Sequence, residues 1–369
     1  MLFSTRFSSE SHGDSGSSAQ TISSIIVIMV LMIVVTTTVS YEAIQNFGLS
    51  GPANSGVIGT ANAPAVLKWG SSTAYPIEVW TQSCVLSGGY VYCVGGLSAS
   101  NLATSAVDGV YYAPISSAGI GTWANTTDYP TSIRTASCVA EADTIYCVGG
   151  YSNSALTDDV YYAPLSPLGV GSWTNTTSYP FPVWSTSCVA SITGIYCVGG
   201  GTSNSSALSS TSSVYFAPFS SSGLGQWTPT SDYPVMVKQQ SCAASATDLY
   251  CVGGYDATAV YYAPLESSGV GTWAATTGYP FTVGANLLSC VIIGDSIYCV
   301  GGHTGPNVSA DVYSAQISTS GLRQWASDTS YPVAVWGESC VASADQIYCV
   351  GGETASGDTI NEVSFSSPP

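Results

Sequence analysis

Residues 173–227 read WTNTTSYPFPVWSTSCVASITGIYCVGGGTSNSSALSSTSSVYFAPFSSSGLGQW, and the chain spells this unit nearly six times over. Its fixed points are a serine–cysteine pair, a second cysteine inside Tyr-Cys-Val-Gly-Gly, a Val-Tyr-Tyr-like run, a tryptophan and a Tyr-Pro. The cysteines fall in pairs: Cys84 and Cys93, Cys138 and Cys147, Cys188 and Cys197, Cys242 and Cys251, Cys290 and Cys299, Cys340 and Cys349. Every pair has the same spacing and no cysteine is left over. Measured from tryptophan to tryptophan the period is 46 to 54 residues, the length of a propeller or array unit.

The apolar runs of the unit are short, β-branched and aromatic, and glycine or proline bounds them, which is strand chemistry. Four strands fit one unit: a around Ser187-Cys188, b from Ile195 to Val198, c from Val214 to Ala217, and d ending at Trp227. A short polar turn joins a and b, so these are antiparallel neighbours. The last unit stops after strand c, at Val363 to Ser366, without a tryptophan strand. The first begins with an orphan one, Val66-Leu67-Lys68-Trp69. If residues 64–70 complete the last blade, both defects are repaired and no edge is left unpaired. The expected fold is all-β: a closed six-bladed propeller over residues 63–369, with four antiparallel strands per blade and the N-terminal strand closing the last.

The unit resembles the kelch repeat, whose strand b reads Ile-Tyr-Val-x-Gly-Gly and whose strand c is followed by a tryptophan and a proline. Here those elements are Ile145-Tyr146-Cys147-Val148-Gly149-Gly150, Val160-Tyr161-Tyr162, Trp173 and Pro180. The resemblance covers about residues 63–369 and implies the same propeller. Two departures stand out. Cysteine replaces the usual small or apolar residue in strands a and b, and the sixth unit reads Val363-Ser364-Phe365.

Composition bounds the function. Charged residues are 7% of the chain and its net charge is −17, with only Arg6, Lys68, Arg134, Lys238 and Arg323 basic. Nucleic-acid binding needs Lys and Arg to neutralise phosphates, so no nucleic-acid partner is expected. An extracellular Ser/Thr-rich domain fits this balance. So does the exterior of an organism in acid, where carboxylates are protonated. Six Cys-x8-Cys pairs on antiparallel neighbours read as local disulfides in an oxidising exterior, each contributing roughly 2–3 kcal/mol. Zinc is the competing use of cysteine, but it asks for Cys-x2-Cys spacing or histidines.

The N-terminus is a separate problem. Residues 1–20 are Ser/Gly-rich and read as a disordered tail, and 41–62 as a flexible linker. Residues 21–40, TISSIIVIMVLMIVVTTTVS, carry no charge and are long enough to span a bilayer as a helix. Three readings fit: a signal anchor with the propeller outside, a helix resembling those of archaeal type IV pilins, or a signal peptide cleaved after Thr38-Val39-Ser40.

From strand c to the tryptophan the spacing never changes, and most of the length variation lies between strands b and c. That connection has 13 residues in the first and third units (97–109 and 201–213) but 5 in the fourth. A fixed scaffold with one variable loop class is how binding surfaces are built. Four Asn-x-Ser/Thr sequons, at Asn125, Asn175, Asn204 and Asn307, fall in d–a or b–c connections and are expected as glycosylation sites on the same face.

Catalytic sets are not found. Copper oxidases on kelch scaffolds need two histidine ligands; this chain has His12 and His303. Sialidases need three arginines around a carboxylate, and the propeller offers Arg134 and Arg323. A hydrolytic triad needs a histidine base, for which His303 is the sole propeller candidate. Glu141, Asp143, Asp248, Asp295 and Asp345 lie near a–b turns, where aspartate favours tight turns. The tyrosine pairs Tyr111-Tyr112, Tyr161-Tyr162 and Tyr261-Tyr262 are expected to pack between blades. The reading is a membrane-anchored, non-enzymatic surface protein for recognition or adhesion, with no cofactor or metal and an unidentified protein or glycan ligand. The alternative is a pilin-like filament subunit that self-assembles through its helix and displays the propeller. A carbohydrate-active enzyme is a third, more distant one.

Overall fold

Strands form where the repeat supplies runs of β-branched and aromatic residues, and they end at Gly-Gly or at Ser/Thr-rich turns. The computed structural model describes residues 67–367, apart from 99–104, 204–208, 256, 282–286, 306 and 344. The expected tail, membrane helix and linker, and the sequon at Asn204, lie outside the described residues. Among the described residues no helix is long and apolar enough to cross a membrane.

The third blade shows the plan. Strand a is Ser187–Ala190, b Gly194–Val198 and c Val214–Ser220; strand d comes in two pieces, Gly223–Leu224 and Thr228–Pro229. All neighbours are antiparallel, in the order a-b-c-d. Blades one, two, four and five repeat it. Blade six takes a, b and c from Ser339–Ser343, Gln346–Val350 and Val363–Ser367, and its outer strand from Lys68–Ser71 at the other end of the chain. Trp69 lies opposite Ser366. The closed six-bladed propeller is as the sequence predicts.

One detail of the blade differs from expectation. Strand d does not end at its tryptophan; pairing resumes just beyond it, at Thr228–Pro229 in blade three. The strand steps aside at this point and the indole reaches the neighbouring connection. Trp227 Nε1 donates to the Thr177 carbonyl at 3.1 Å, and its ring meets Tyr179 edge-on at 5.0 Å. All six blades have the same clamp, including Trp69 on Thr329 and Tyr331. The step also lets strand c carry a proline. Pro218 has no N–H to give, and its carbonyl accepts from Gly225 at 2.8 Å.

The cysteines sit directly opposite each other on a and b, with Cα atoms 4.0–4.1 Å apart, and every bridge stays within its blade. Cys84 bonds to Cys93, Cys138 to Cys147 and Cys188 to Cys197. Cys242 bonds to Cys251, Cys290 to Cys299 and Cys340 to Cys349. The strand b partners Cys93, Cys147, Cys197, Cys251, Cys299 and Cys349 are fully buried, so the bridges point into the layer between blades.

Three further couplings tie each blade to the next. At a close, non-hydrogen-bonded pair the backbone N–H turns away from the partner strand. Each inner-strand cysteine N–H therefore faces the preceding blade, where a serine Oγ accepts it. Cys138 donates to Ser83, Cys188 to Ser137, Cys242 to Ser187, Cys290 to Ser241, Cys340 to Ser289 and Cys84 to Ser339, all at 2.9–3.0 Å. The Gly-Gly pair ends strand b because the next blade's chain passes close by. Gly96 N–H donates to the Ile133 carbonyl at 2.8 Å, and a Cβ at Gly95 would lie 2.3 Å from that oxygen. Finally, the second aromatic of strand c packs on the c–d turn of the next blade: Tyr112 on Gly169 and Tyr162 on Gly223. The tyrosine pairs do pack between blades.

Removing residues 1–71 should leave Val363–Ser367 as an open edge and cause aggregation with a large fall in melting temperature; removing only 1–62 should not. Equal stability of the two truncations, by calorimetry and size-exclusion chromatography, would contradict closure through Lys68–Ser71. Ser83→Ala should cost roughly 1–3 kcal/mol in denaturant unfolding, because it strands the Cys138 N–H.

Candidate functional site at the mouth of the central channel

Three residues before each inner cysteine the chain takes a left-handed turn. Thr81, Thr135, Ser185, Gln239, Leu287 and Gly337 have φ of 55°, 52°, 46°, 62°, 48° and 67°. For five non-glycine residues this costs on the order of 1 kcal/mol each. The turn is held by a second closed ring, in which each of these N–H groups donates to the carbonyl of its counterpart in the preceding blade at 2.7–3.2 Å. This ring encircles the channel on the face where b–c and d–a connections meet, opposite the a–b turns and their acidic residues.

One residue earlier stands a collar: Trp80, Arg134, Trp184, Lys238 and Trp336, with Asn286 in blade five outside the described residues. The backbone of each described collar position pairs with the first residue after Gly-Gly in its own blade. The partners are Leu97, Tyr151, Gly201, Tyr255 and Glu353. The variable connections thus begin by folding back on the d–a segments and raise a wall above the ring. Trp80 and Trp336 lie 5.1 Å apart, and His303 packs on Trp336 at 4.9 Å. The Arg134 guanidinium lies 4.4 Å from the Tyr151 ring centre. Lys238 Nζ is 5.0 Å from that of Trp184 and 5.2 Å from that of Tyr255. Cation–π attraction of this kind is strongest away from water.

Collar and ring enclose a bowl of about 300 Å³, walled by Trp80, Leu97, Arg134, Tyr151, Trp184 and Trp336 and floored by Thr81, Thr135, Gln239 and Leu287. Apolar, aromatic walls with a few polar groups are what small-ligand pockets offer, and the volume sits at the low end of their roughly 300–1,000 Å³ range. Among the described residues several buried polar atoms there have no hydrogen-bond partner: Trp80 Nε1, Arg134 Nε, and the hydroxyls of Thr81 and Thr135; Trp184 Nε1, also unpaired, lies over Gly201. Burial lowers the pKa of Arg134, Lys238 and His303.

A smaller space of about 120 Å³ continues down the channel past Gln82, Gln240 and Glu338. These three hold equivalent positions, two before the cysteine. Gln82 Nε2 donates to the Val350 carbonyl and Gln240 Nε2 to that of Val198, both at 2.6 Å. Glu338 reaches the same place beside blade five, with Oε1 2.8 Å from where a Cβ on Gly301 would stand. A carboxylate cannot donate there; a protonated carboxyl can. Burial pushes the Glu338 pKa well above the ordinary range, and its own backbone N–H pulls only weakly the other way. Among the described residues no other group hydrogen-bonds either oxygen. The titratable groups that feel it are the buried tyrosines Tyr279 and Tyr331.

The expected sequons sit differently from the sequence reading. Asn125 and Asn175 lie on exposed outer strands, Ala124–Asn125 and Thr174–Asn175, and not in d–a loops. Their threonines are structural: Thr127 and Thr177 hydroxyls donate to the Val170 and Leu224 carbonyls of the next blade at 2.8 Å. Blade four keeps such a threonine, Thr277, which donates to the Leu322 carbonyl of blade five, with no sequon. Asn307 is exposed on a hairpin of the b–c connection, His303–Thr304 with Asn307–Val308. The long connections 97–109 and 201–213 contribute Leu97 and Ser203 to the bowl, and their middles lie outside the described residues. The three collar tryptophans went unremarked in the sequence. Their signal was there: six of nine tryptophans keep the repeat's strand-d position, and Trp80, Trp184 and Trp336 share one other offset, four before a cysteine.

No protein-family model matches the chain, and no curated protein does. Among solved structures it is similar to the protein described as "Structure of YjhT", with a TM-score of 0.64 and 13% identity over 79% of this chain and 95% of that one. At this identity the likeness shows the fold alone.

Glu338 carries the pH dependence. Its unfolded pKa is about 4.3 and its folded pKa is higher, so its contribution to stability is full below about pH 4 and is lost as pH rises toward the folded value. Glu338→Gln, which restores the donor seen at Gln82 and Gln240, should raise the melting temperature at pH 7 and change little at pH 4. An unchanged pH profile by calorimetry would refute the protonated state.

Proposed function

We propose that the protein is a non-enzymatic recognition module of the cell exterior, a kelch-type propeller that binds glycans in the bowl at its channel mouth. One observation carries the reading: three tryptophans outside the repeat's own register converge on one walled pocket. Flat aromatic faces with unpaired donors around them suit sugar rings, which offer apolar faces and acceptor hydroxyls together. The surface location draws on the six disulfides, which are compatible with an oxidising exterior, and on the uncharged run 21–40 as a membrane anchor. The six Gly-Gly pairs and tryptophan clamps favour kelch-type ancestry. Asn307, exposed and free of a clamp, is the described sequon best placed to carry a glycan. The non-enzymatic reading draws on the bowl's chemistry: among the described residues its walls hold no nucleophile–base pair, and His303 packs at a tilt on Trp336.

Trp336 is half-buried and its loss leaves the clamps and belts intact. Trp336→Ala should weaken binding to immobilised glycans about 30-fold, the cost of about 2 kcal/mol for a stacked tryptophan, with the melting temperature nearly unchanged. A glycan array that reads the same for wild type and variant would sink the proposal.

A further inference from the structure

We propose that the bowl selects acidic glycans, taking a single hexuronic acid whose carboxylate is held by Arg134. This rests on the bowl being the glycan site and names its substrate class.

The argument is one of charge placement. The chain carries a net charge of −17, and the described residues hold four Lys and Arg. Lys68 is exposed on the outer strand of blade six, and Arg323 is exposed between the two pieces of blade five's strand d. Arg134 and Lys238 both stand in the collar, at the position that is tryptophan in blades one, three and six. Cations placed by chance on so acidic a chain would not gather at one channel mouth. The Arg134 guanidinium is stacked on Tyr151, and its buried Nε has no partner. Among the described residues the Trp80 and Arg134 nitrogens at the bowl have no partner, and both are donors, so a ligand rich in acceptors suits them. A planar guanidinium matches a carboxylate two-pronged, in a site where water is largely excluded. The strongly negative remainder of the surface repels a polyanion, which favours one isolated acid group on an otherwise neutral sugar.

The test is titration calorimetry of the whole protein with glucuronyl-galactose and with the same disaccharide reduced at its carboxyl to the neutral alcohol. The acid form should bind at least tenfold tighter, with the preference shrinking between about 50 and 500 mM salt. Arg134→Gln should erase the preference, so that the acid and neutral forms bind with equal affinity. Arg134→Lys should keep part of it. Equal binding of the two disaccharides to wild type overturns the acid selectivity and leaves the bowl reading standing. Binding of either that is indifferent to Trp336→Ala, or no binding of either, overturns both.

Discussion

Everything in this molecule depends on closing a ring of strand edges. Each inner strand faces the channel with its outward N–H groups unpaired, and a buried unpaired donor costs as much as a lost hydrogen bond. The serine beside each cysteine solves this from the preceding blade, and the sixth serine, Ser339, returns the bond to Cys84. The requirement is geometric and collective, because one missing blade leaves two unsatisfied edges. It explains why the outer strand of the last blade comes from Lys68–Ser71, so that the two ends of the chain are stitched into one sheet.

Given that ring, the site follows. The left-handed turns bring six backbone groups into a second closed circle, and they aim the preceding residue inward at the channel mouth. Each described collar position packs on the start of its own blade's variable connection, Trp80 on Leu97, Arg134 on Tyr151 and Lys238 on Tyr255, so the side chain there differs from blade to blade. Blades one, three and six present tryptophan, two and four present cations. Among the described residues the scaffold thereby offers five equivalent positions around one axis and uses them unequally, which is how a symmetric framework makes an asymmetric pocket. Glu338 is the same principle one layer down: a donor position filled by glutamine in two blades and by an acid in a third.

The fold was legible because it rests on repetition. Six cysteine pairs in register, from Cys84 with Cys93 to Cys340 with Cys349, set the a–b pairing. An orphan tryptophan strand with a missing final one forced closure. The role of the serine beside each cysteine was not legible, since its partner lies some fifty residues away in another blade. Nor was the two-piece strand d, whose step past Trp227 depends on the neighbouring connection. The site was half legible. Loop-length variation pointed to the face where the bowl lies, and three of the collar residues were visible as tryptophans off the repeat's register. Their convergence needed the left-handed turns at Thr81, Thr135, Ser185, Gln239 and Leu287, a conformation that no residue type at these positions announces. The placement of Asn125 and Asn175 in d–a loops was not legible, because both lie on the second piece of strand d, which the sequence ended at its tryptophan.

The central claim is that ligand recognition happens inside the bowl, on the axis of the ring. The most direct measurement is an electron-density map of the protein soaked with glucuronyl-galactose. The account predicts density for a sugar ring among Trp80, Trp184 and Trp336 with its carboxylate on Arg134. Sugar density on an outer blade edge or on the flank of the variable loops, with none in the bowl, would contradict it.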